Sequence, residues 1–397
     1  MSEIVRLAAR GDGVSADGRF VPGAVPGDRV APDGSIVPGP GRVRPPCRHF
    51  GICGGCQLQH ASEPVLAEFT AARILEPLRR LGIAPREVRP VHLSPPFSRR
   101  RASLRAVRRE GRVLLGFNAE GTHQLVDLGM CPVLAPELFA LFAPLRALLA
   151  DIMPPRAVVG VTMATTDGGV DLLLSNLAAE ALPVVEALTR FAEAQGLARL
   201  SVEGPFGIET VVAPKTPSVT LGGVPVTLPP GAFLQATADG EAALVAAVLE
   251  GAAGARRVAD LFCGVGTFAL PLLRGARVLA ADASGPAVAA LARAAQAAGR
   301  PVETQHRDLF RRPLAAAELR GLEAVVIDPP RSGAAAQTAE IAAARVPVVM
   351  AVSCNPATFA RDAERLVAAG YGLETLWPVA QFRWSTHVEL AARFCLR

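Results

Sequence analysis

The sequence predicts an α/β protein: a C-terminal, doubly wound, Rossmann-like sheet, preceded by a mixed α+β cysteine-cluster segment and a short N-terminal β module. Three observations predict it. Over residues 229–397 apolar strands alternate with Ala-rich helices, the pattern of a parallel sheet covered on both faces. Upstream, Cys47, Cys53 and Cys56 crowd together, with Cys131 following 75 residues later. Before them, the turn dipeptides Asp12-Gly13, Asp17-Gly18 and Asp33-Gly34 punctuate short strand-like pieces. The expected boundaries are 1–45, 46–228 and 229–397.

Composition narrows the classes. A chain of 397 residues exceeds one ordinary domain, and 50% hydrophobic against 19% charged residues excludes global disorder. No run of 18 uncharged apolar residues occurs, because Glu137, Pro144 and Arg146 interrupt the most apolar stretch. The N-terminus has no charged-then-apolar leader pattern, so a cytoplasmic protein with no membrane contact is expected. The formal charge is +5, and of 41 basic residues only Lys215 is not Arg. That balance permits an acidic partner such as nucleic acid without requiring one. Seven cysteines, an odd number, argue against a disulfide framework in that compartment. No obligate protein partner is evident.

The elements follow in order. Strand-like pieces open the chain, a helix is expected over 62–81, and strands over 99–126 turn at Glu110-Gly111. Seven arginines fall in that hairpin (Arg99, Arg100, Arg101, Arg105, Arg108, Arg109 and Arg112), a run suited to neutralising phosphates. C-terminal strands are expected at 257–262, 277–282, 302–307, 323–328 and 346–353, then a helix capped by Asn355 with Pro356 in its first turn. A last strand is expected over 386–394, where a period of two would place His387 and Glu389 on one face. Ligands of such sheets bind beyond the carboxyl ends of the strands, where Asp260, Asp282, Asp308 and Asp328 fall.

Gly264-x-Gly266-x-x-Ala269 after the first of these strands lets backbone approach a ligand closely, and Asp282 stands where an acid could bind ribose. NAD, FAD and S-adenosylmethionine all use such a turn. Four thiolates in the pattern Cys47-x5-Cys53-x2-Cys56 with Cys131 suit zinc or an iron–sulfur cluster, and the ligand count does not separate them.

The loop Asp328-Pro-Pro-Arg-Ser-Gly333, read with Ser353-Cys354-Asn-Pro356 and His387-Val-Glu389, resembles the RNA uracil-5-methyltransferase family, in particular its iron–sulfur branch acting on 23S ribosomal RNA. The resemblance spans nearly the whole chain. It implies a class I methyltransferase domain in which Gln235, Phe262, Thr267, Asp282, Asp308 and Asp328 bind S-adenosylmethionine, Thr267 and Asp308 standing where relatives often or sometimes carry Asn. It implies that Cys47, Cys53, Cys56 and Cys131 hold a structural 4Fe-4S cluster. RNA is the implied partner, ribosomal rather than transfer RNA. The N-terminal module resembles the opening of a TRAM domain, an OB-like RNA-binding fold, cut short by Cys47.

The resemblance also assigns chemistry. Uracil C5 is a poor nucleophile, so a thiolate must first add at C6 to raise electron density at C5. Cys354 takes that role, with the field of the following helix expected to lower its pKa. Glu389 removes the C5 proton so that the thiolate can leave. His387 either orients Glu389 or the base, or is structural. Around Phe382 the chain reads Ala380-Gln-Phe-Arg-Trp-Ser, where relatives carry an acid and a proline. The enzymatic rival, an RNA cytosine-5-methyltransferase, normally has a cysteine in the Asp328 loop. A non-catalytic iron–sulfur RNA-binding protein is the other alternative.

Overall fold

A computed structural model describes residues 1–397. The C-terminal sheet has nine strands. Glu303–His306, Arg277–Asp282, Arg257–Leu261, Ala324–Ile327 and Val348–Ser353 lie side by side and parallel. Glu389–Leu396 then inserts antiparallel between Val348–Ser353 and Tyr371–Ala380. The strands read as near-continuous apolar runs because helices cover both faces: Ala324–Ile327 is buried at every position. The order reverses around Arg257–Leu261, which opens the ligand crevice at its carboxyl end.

Helix starts follow local chemistry. Thr237 Oγ1 accepts from Gly240 N–H at 3.0 Å, and Asn355 Oδ1 accepts from Ala357 N–H at 3.1 Å ahead of the helix Pro356–Ala368. A seven-stranded sheet, including Arg101–Arg109, Arg112–Asn118 and Val158–Thr166, forms the centre of the chain over its own apolar core. Five short strands within 2–37 form the N-terminal sheet.

Three features depart from expectation. The helix Glu63–Arg80 packs on the C-terminal helix Pro356–Ala368, and strands Glu87–Val88 and His92–Leu93 pair in parallel with Tyr371–Ala380. A segment central in sequence thus extends the C-terminal sheet in space. The last strand begins at Glu389, not at 386. Trp384 takes a left-handed φ of 64° and Ser385 Oγ accepts from His387 N–H at 3.2 Å, so residues 381–388 form a loop and the strand periodicity does not reach His387. Finally, Arg99, Arg100 and Arg101 turn inward: Arg100 forms a buried ion pair with Glu241 at 2.5 Å, Arg101 lies 4.2 Å from the Phe233 ring and Arg99 5.4 Å from the Phe382 ring. Of the seven arginines, Arg105, Arg109 and Arg112 are exposed.

Candidate active site

Four strand ends build the site. After Leu261 the chain turns sharply: Phe262 adopts φ 63°, and the N–H groups of Phe262 and Cys263 both reach Ala281 O. Gly266 has φ 98°, and a Cβ there would sit 2.5 Å from Leu291, so glycine is required by both conformation and space. Asp282 closes the neighbouring strand and accepts from Gly264 N–H at 3.0 Å and Ser284 N–H at 2.7 Å, which ties the glycine turn to the second strand. The Phe262 ring packs on Phe310, with centroids 5.3 Å apart. Asp308, just before Phe310, accepts from the N–H groups of Phe310 and Arg311 and so stabilises its own turn. Thr267, next after Gly266, lines a cleft of about 870 Å³ with Thr165, Asp167 and Glu241.

Asp328 and Cys354 immediately follow the fourth and fifth strands, Ala324–Ile327 and Val348–Ser353. Gln235, on the loop before the helix Ala238–Gly251, donates to Asp328 Oδ2 at 3.4 Å. Burial pushes Asp328 up to about 7. Glu389, 6% exposed, is pushed up to about 8 by burial and then by Asp328, against the opposing pull of Gln381, Arg101 and Arg331. Cys354 is half-buried, and its thiol is raised by burial, Glu389 and Asp328, with Arg331 opposing. The expected lowering by the helix field is therefore overturned: desolvation and two carboxyls outweigh it. Asp260, fully buried beneath, is held well above the carboxylate range by burial and by its acidic neighbours.

The structure thus brings Gln235, Asp328, Cys354 and Glu389 into one electrostatically coupled group, with Phe262 and Asp282 at the adjoining strand ends. His387 is in the loop, its Nδ1 3.3 Å from Arg331 Nη2, and burial followed by Arg331, Arg99 and Arg73 lowers its pKa. Sequence reasoning passed over Arg331, Arg101 and Gln381. Arg331 lies inside the Asp-Pro-Pro-Arg motif and was legible there; the other two depend on tertiary placement.

Cys47, Cys53, Cys56 and Cys131 line one small cavity of about 30 Å³ together with Arg99 and Phe117. All four are free thiols, and no group of three or more His, Cys, Asp or Glu side chains stands in the arrangement that would hold a metal ion. Burial pushes the Cys56 thiol up to about 12. The cluster loop also touches the loop of Phe382: the N–H groups of Gln57 and Leu58 both donate to Trp384 O, at 2.8 and 2.9 Å.

No helix is long and apolar enough to cross a membrane. The family model for tRNA (uracil-5-)-methyltransferases matches residues 228–394. An uncharacterized RNA methyltransferase of Zymomonas mobilis is 47% identical over 394 residues, 99% of each chain. A 23S rRNA (uracil(1939)-C(5))-methyltransferase of Halomonas elongata is 37% identical over 370 residues, 88% of this chain and 76% of that protein. In fold, the chain is similar to the tRNA (uracil-54, C5)-methyltransferase of Pyrococcus abyssi in complex with S-adenosyl-L-homocysteine, with a TM-score of 0.77, 23% identity and 99% of each chain covered.

Proposed function

The chain belongs to the RNA uracil-5-methyltransferase family, and from that premise we propose that it methylates C5 of a uracil in large-subunit ribosomal RNA, with Cys354 as nucleophile and Glu389 as proton acceptor. The observation that carries this reading is the coupling of Cys354, Glu389 and Asp328 at the strand ends beside the glycine turn. Bound S-adenosylmethionine supplies an electrophilic methyl group. Gln235, Phe262, Asp282 and Asp328 hold it, with Asp308 and Thr267 in lesser roles. The Cys354 thiolate bonds to C6 of the uracil, C5 then bonds to the methyl carbon as the carbon–sulfur bond of the donor breaks, and Glu389 takes the C5 proton as the Cys354 bond to C6 breaks. A uracil in folded RNA must leave its stack to reach Cys354, which costs a few kcal/mol and favours loops. The Halomonas relative supports ribosomal over transfer RNA. Mapping 5-methyluridine in ribosomal and transfer RNA from a deletion strain, with and without the restored gene, tests this directly. A site lost only from transfer RNA would overturn the ribosomal assignment.

The same reading divides the chain at 1–45, 46–228 and 229–397, with residues 63–93 of the middle segment packed on the C-terminal sheet, and puts it in the cytoplasm. The middle segment is proposed to bind a 4Fe-4S cluster through Cys47, Cys53, Cys56 and Cys131. The four side chains as they stand do not form a metal-holding arrangement; what supports the proposal is the donor set, four thiols, none in a disulfide, around one cavity with the Arg99 side chain to offset thiolate charge. Protein purified without oxygen is expected to carry about four irons per chain. Stoichiometric zinc without iron would replace the cluster by a zinc site.

Exposed arginines on the central hairpin are proposed to contact phosphates. Changing Arg105, Arg109 and Arg112 to Ala is expected to flatten the salt dependence of RNA binding by up to about 0.7–0.9 in slope per lost contact. Donor affinity stays unchanged. An unaltered slope would leave these side chains as a solvated face.

A further inference from the structure

Gln381 is 1% exposed and stands at the start of the loop that ends at Glu389. Its Oε1 accepts from Ala236 N–H at 2.9 Å, and its Nε2 donates to Gln235 Oε1 at 2.7 Å. Gln235 Nε2 in turn donates to Asp328 Oδ2. The direction of this chain is fixed by its first member. A main-chain N–H can only donate, so the Gln381 oxygen must face Ala236. Its NH2 group then faces Gln235, whose own NH2 must face Asp328. The second N–H of the Gln381 amide remains for the Glu389 carboxyl, whose ionised form it favours. Space for the side chain is kept by Gly240, where a Cβ would lie 2.7 Å from the Gln381 Cβ.

We propose that Gln381 is a positioning residue for methyl transfer, a buried amide that orients Gln235 on the donor side while holding Glu389 in place for proton removal. This rests on the reading that Gln235 contacts the methyl donor and Glu389 accepts the C5 proton. Gln381, 1% exposed, acts through the side chains it holds. It joins two groups that act at different stages, through one planar amide whose oxygen and one N–H are engaged by Ala236 and Gln235 and whose other N–H is left for Glu389.

The test is Gln381→Met, which keeps the length of the side chain and removes its hydrogen bonds, alongside Gln381→Glu, which keeps the acceptor for Ala236 and removes the donor. Both are expected to weaken S-adenosylhomocysteine binding about tenfold, by calorimetry on the full chain. Gln381→Met is also expected to move the pH limb of single-turnover product release to higher pH, because Glu389 loses a donor to its charged form; in Gln381→Glu the added carboxyl moves the limb by its own charge, so that variant is read on donor affinity. Asp328, Arg101, Arg331 and Cys354, the other charged or titratable groups facing Glu389, are unaltered in both variants. A merely structural residue would lower activity without moving the limb. Unchanged donor affinity in Gln381→Glu overturns the proposal even where Gln381→Met fails to fold, and an unchanged limb in a folded Gln381→Met overturns its Glu389 half. Failure of the parent reading is separate: Glu389→Gln would then itself release product normally.

Discussion

Glu389→Gln is expected to stall with methylated RNA covalently bound to Cys354, seen as a slow-migrating band that survives denaturation. The roles of the two residues are ordered in time, so their losses differ in kind. Cys354→Ala cannot activate the ring and is expected to lose turnover by on the order of 10⁴-fold or more, with no adduct. In Glu389→Gln the thiolate still adds and the methyl still transfers. The C5 proton then has no acceptor, and elimination slows by about 10²–10⁴-fold, the usual worth of a positioned base. Each factor of ten is about 1.4 kcal/mol of barrier, so the adduct lives about 10²–10⁴-fold longer than in the native chain, and denaturing the mixture soon after a single turnover traps it for the gel. An adduct in Cys354→Ala, or free turnover in Glu389→Gln, would show that other side chains carry the chemistry.

Much of this site could be read in the sequence because it obeys local rules. Asp328 and Cys354 end strands in a pattern that a parallel sheet dictates, and Asn355 caps the next helix as its type and the following proline require. The glycine turn and Asp282 are likewise joined by short-range geometry. What escaped depends on distant parts of the chain meeting. Three successive arginines at 99–101 look like a phosphate-binding run, yet Glu241, Phe233 and Phe382 turn them inward. Gln381 acquires meaning only because Ala236, 145 residues earlier, donates to it. The strands at 87–88 and 92–93 are too short to announce that they pair with the end of the chain.

The thiol is the instructive failure. A cysteine just before a helix is expected to be acidic, and the helix is where the sequence puts it. Its surroundings reverse the sign: Glu389 and Asp328 oppose a second negative charge, and only Arg331 favours it. A resting Cys354 is therefore a protonated thiol. Attack requires that the thiol proton pass to solvent and that the nearby carboxyls be neutral or matched, which keeps a half-buried nucleophile quiet until substrate arrives. The raised Glu389 bears on both steps: as a neutral acid it does not repel the forming thiolate, and it must give up its own proton before it can accept that of C5, so turnover rises with pH through about 8.

That same raised carboxyl carries a stability cost with a definite sign. Glu389 is pushed from an ordinary value of 4.5 up to about 8 in the folded chain. A carboxyl that binds its proton more tightly when folded adds no penalty below the unfolded value. Stability then falls as pH rises from about 4.5 through about 8, because the folded chain resists giving up the proton. At the top of that window the penalty is roughly 4 kcal/mol. Glu389→Gln removes the titration and keeps a neutral polar group of the same shape. It is expected to unfold at a clearly higher temperature than the native chain at pH 8.5, with the two curves converging below about pH 5. Asp328 titrates with the same sign through about 7 in both proteins, so the variant keeps a shallower slope of its own. Thermal unfolding at several pH values measures the difference. Parallel curves would mean that Glu389 is already ionised at rest, and product release would then be flat in pH where this site demands that it rise through about 8.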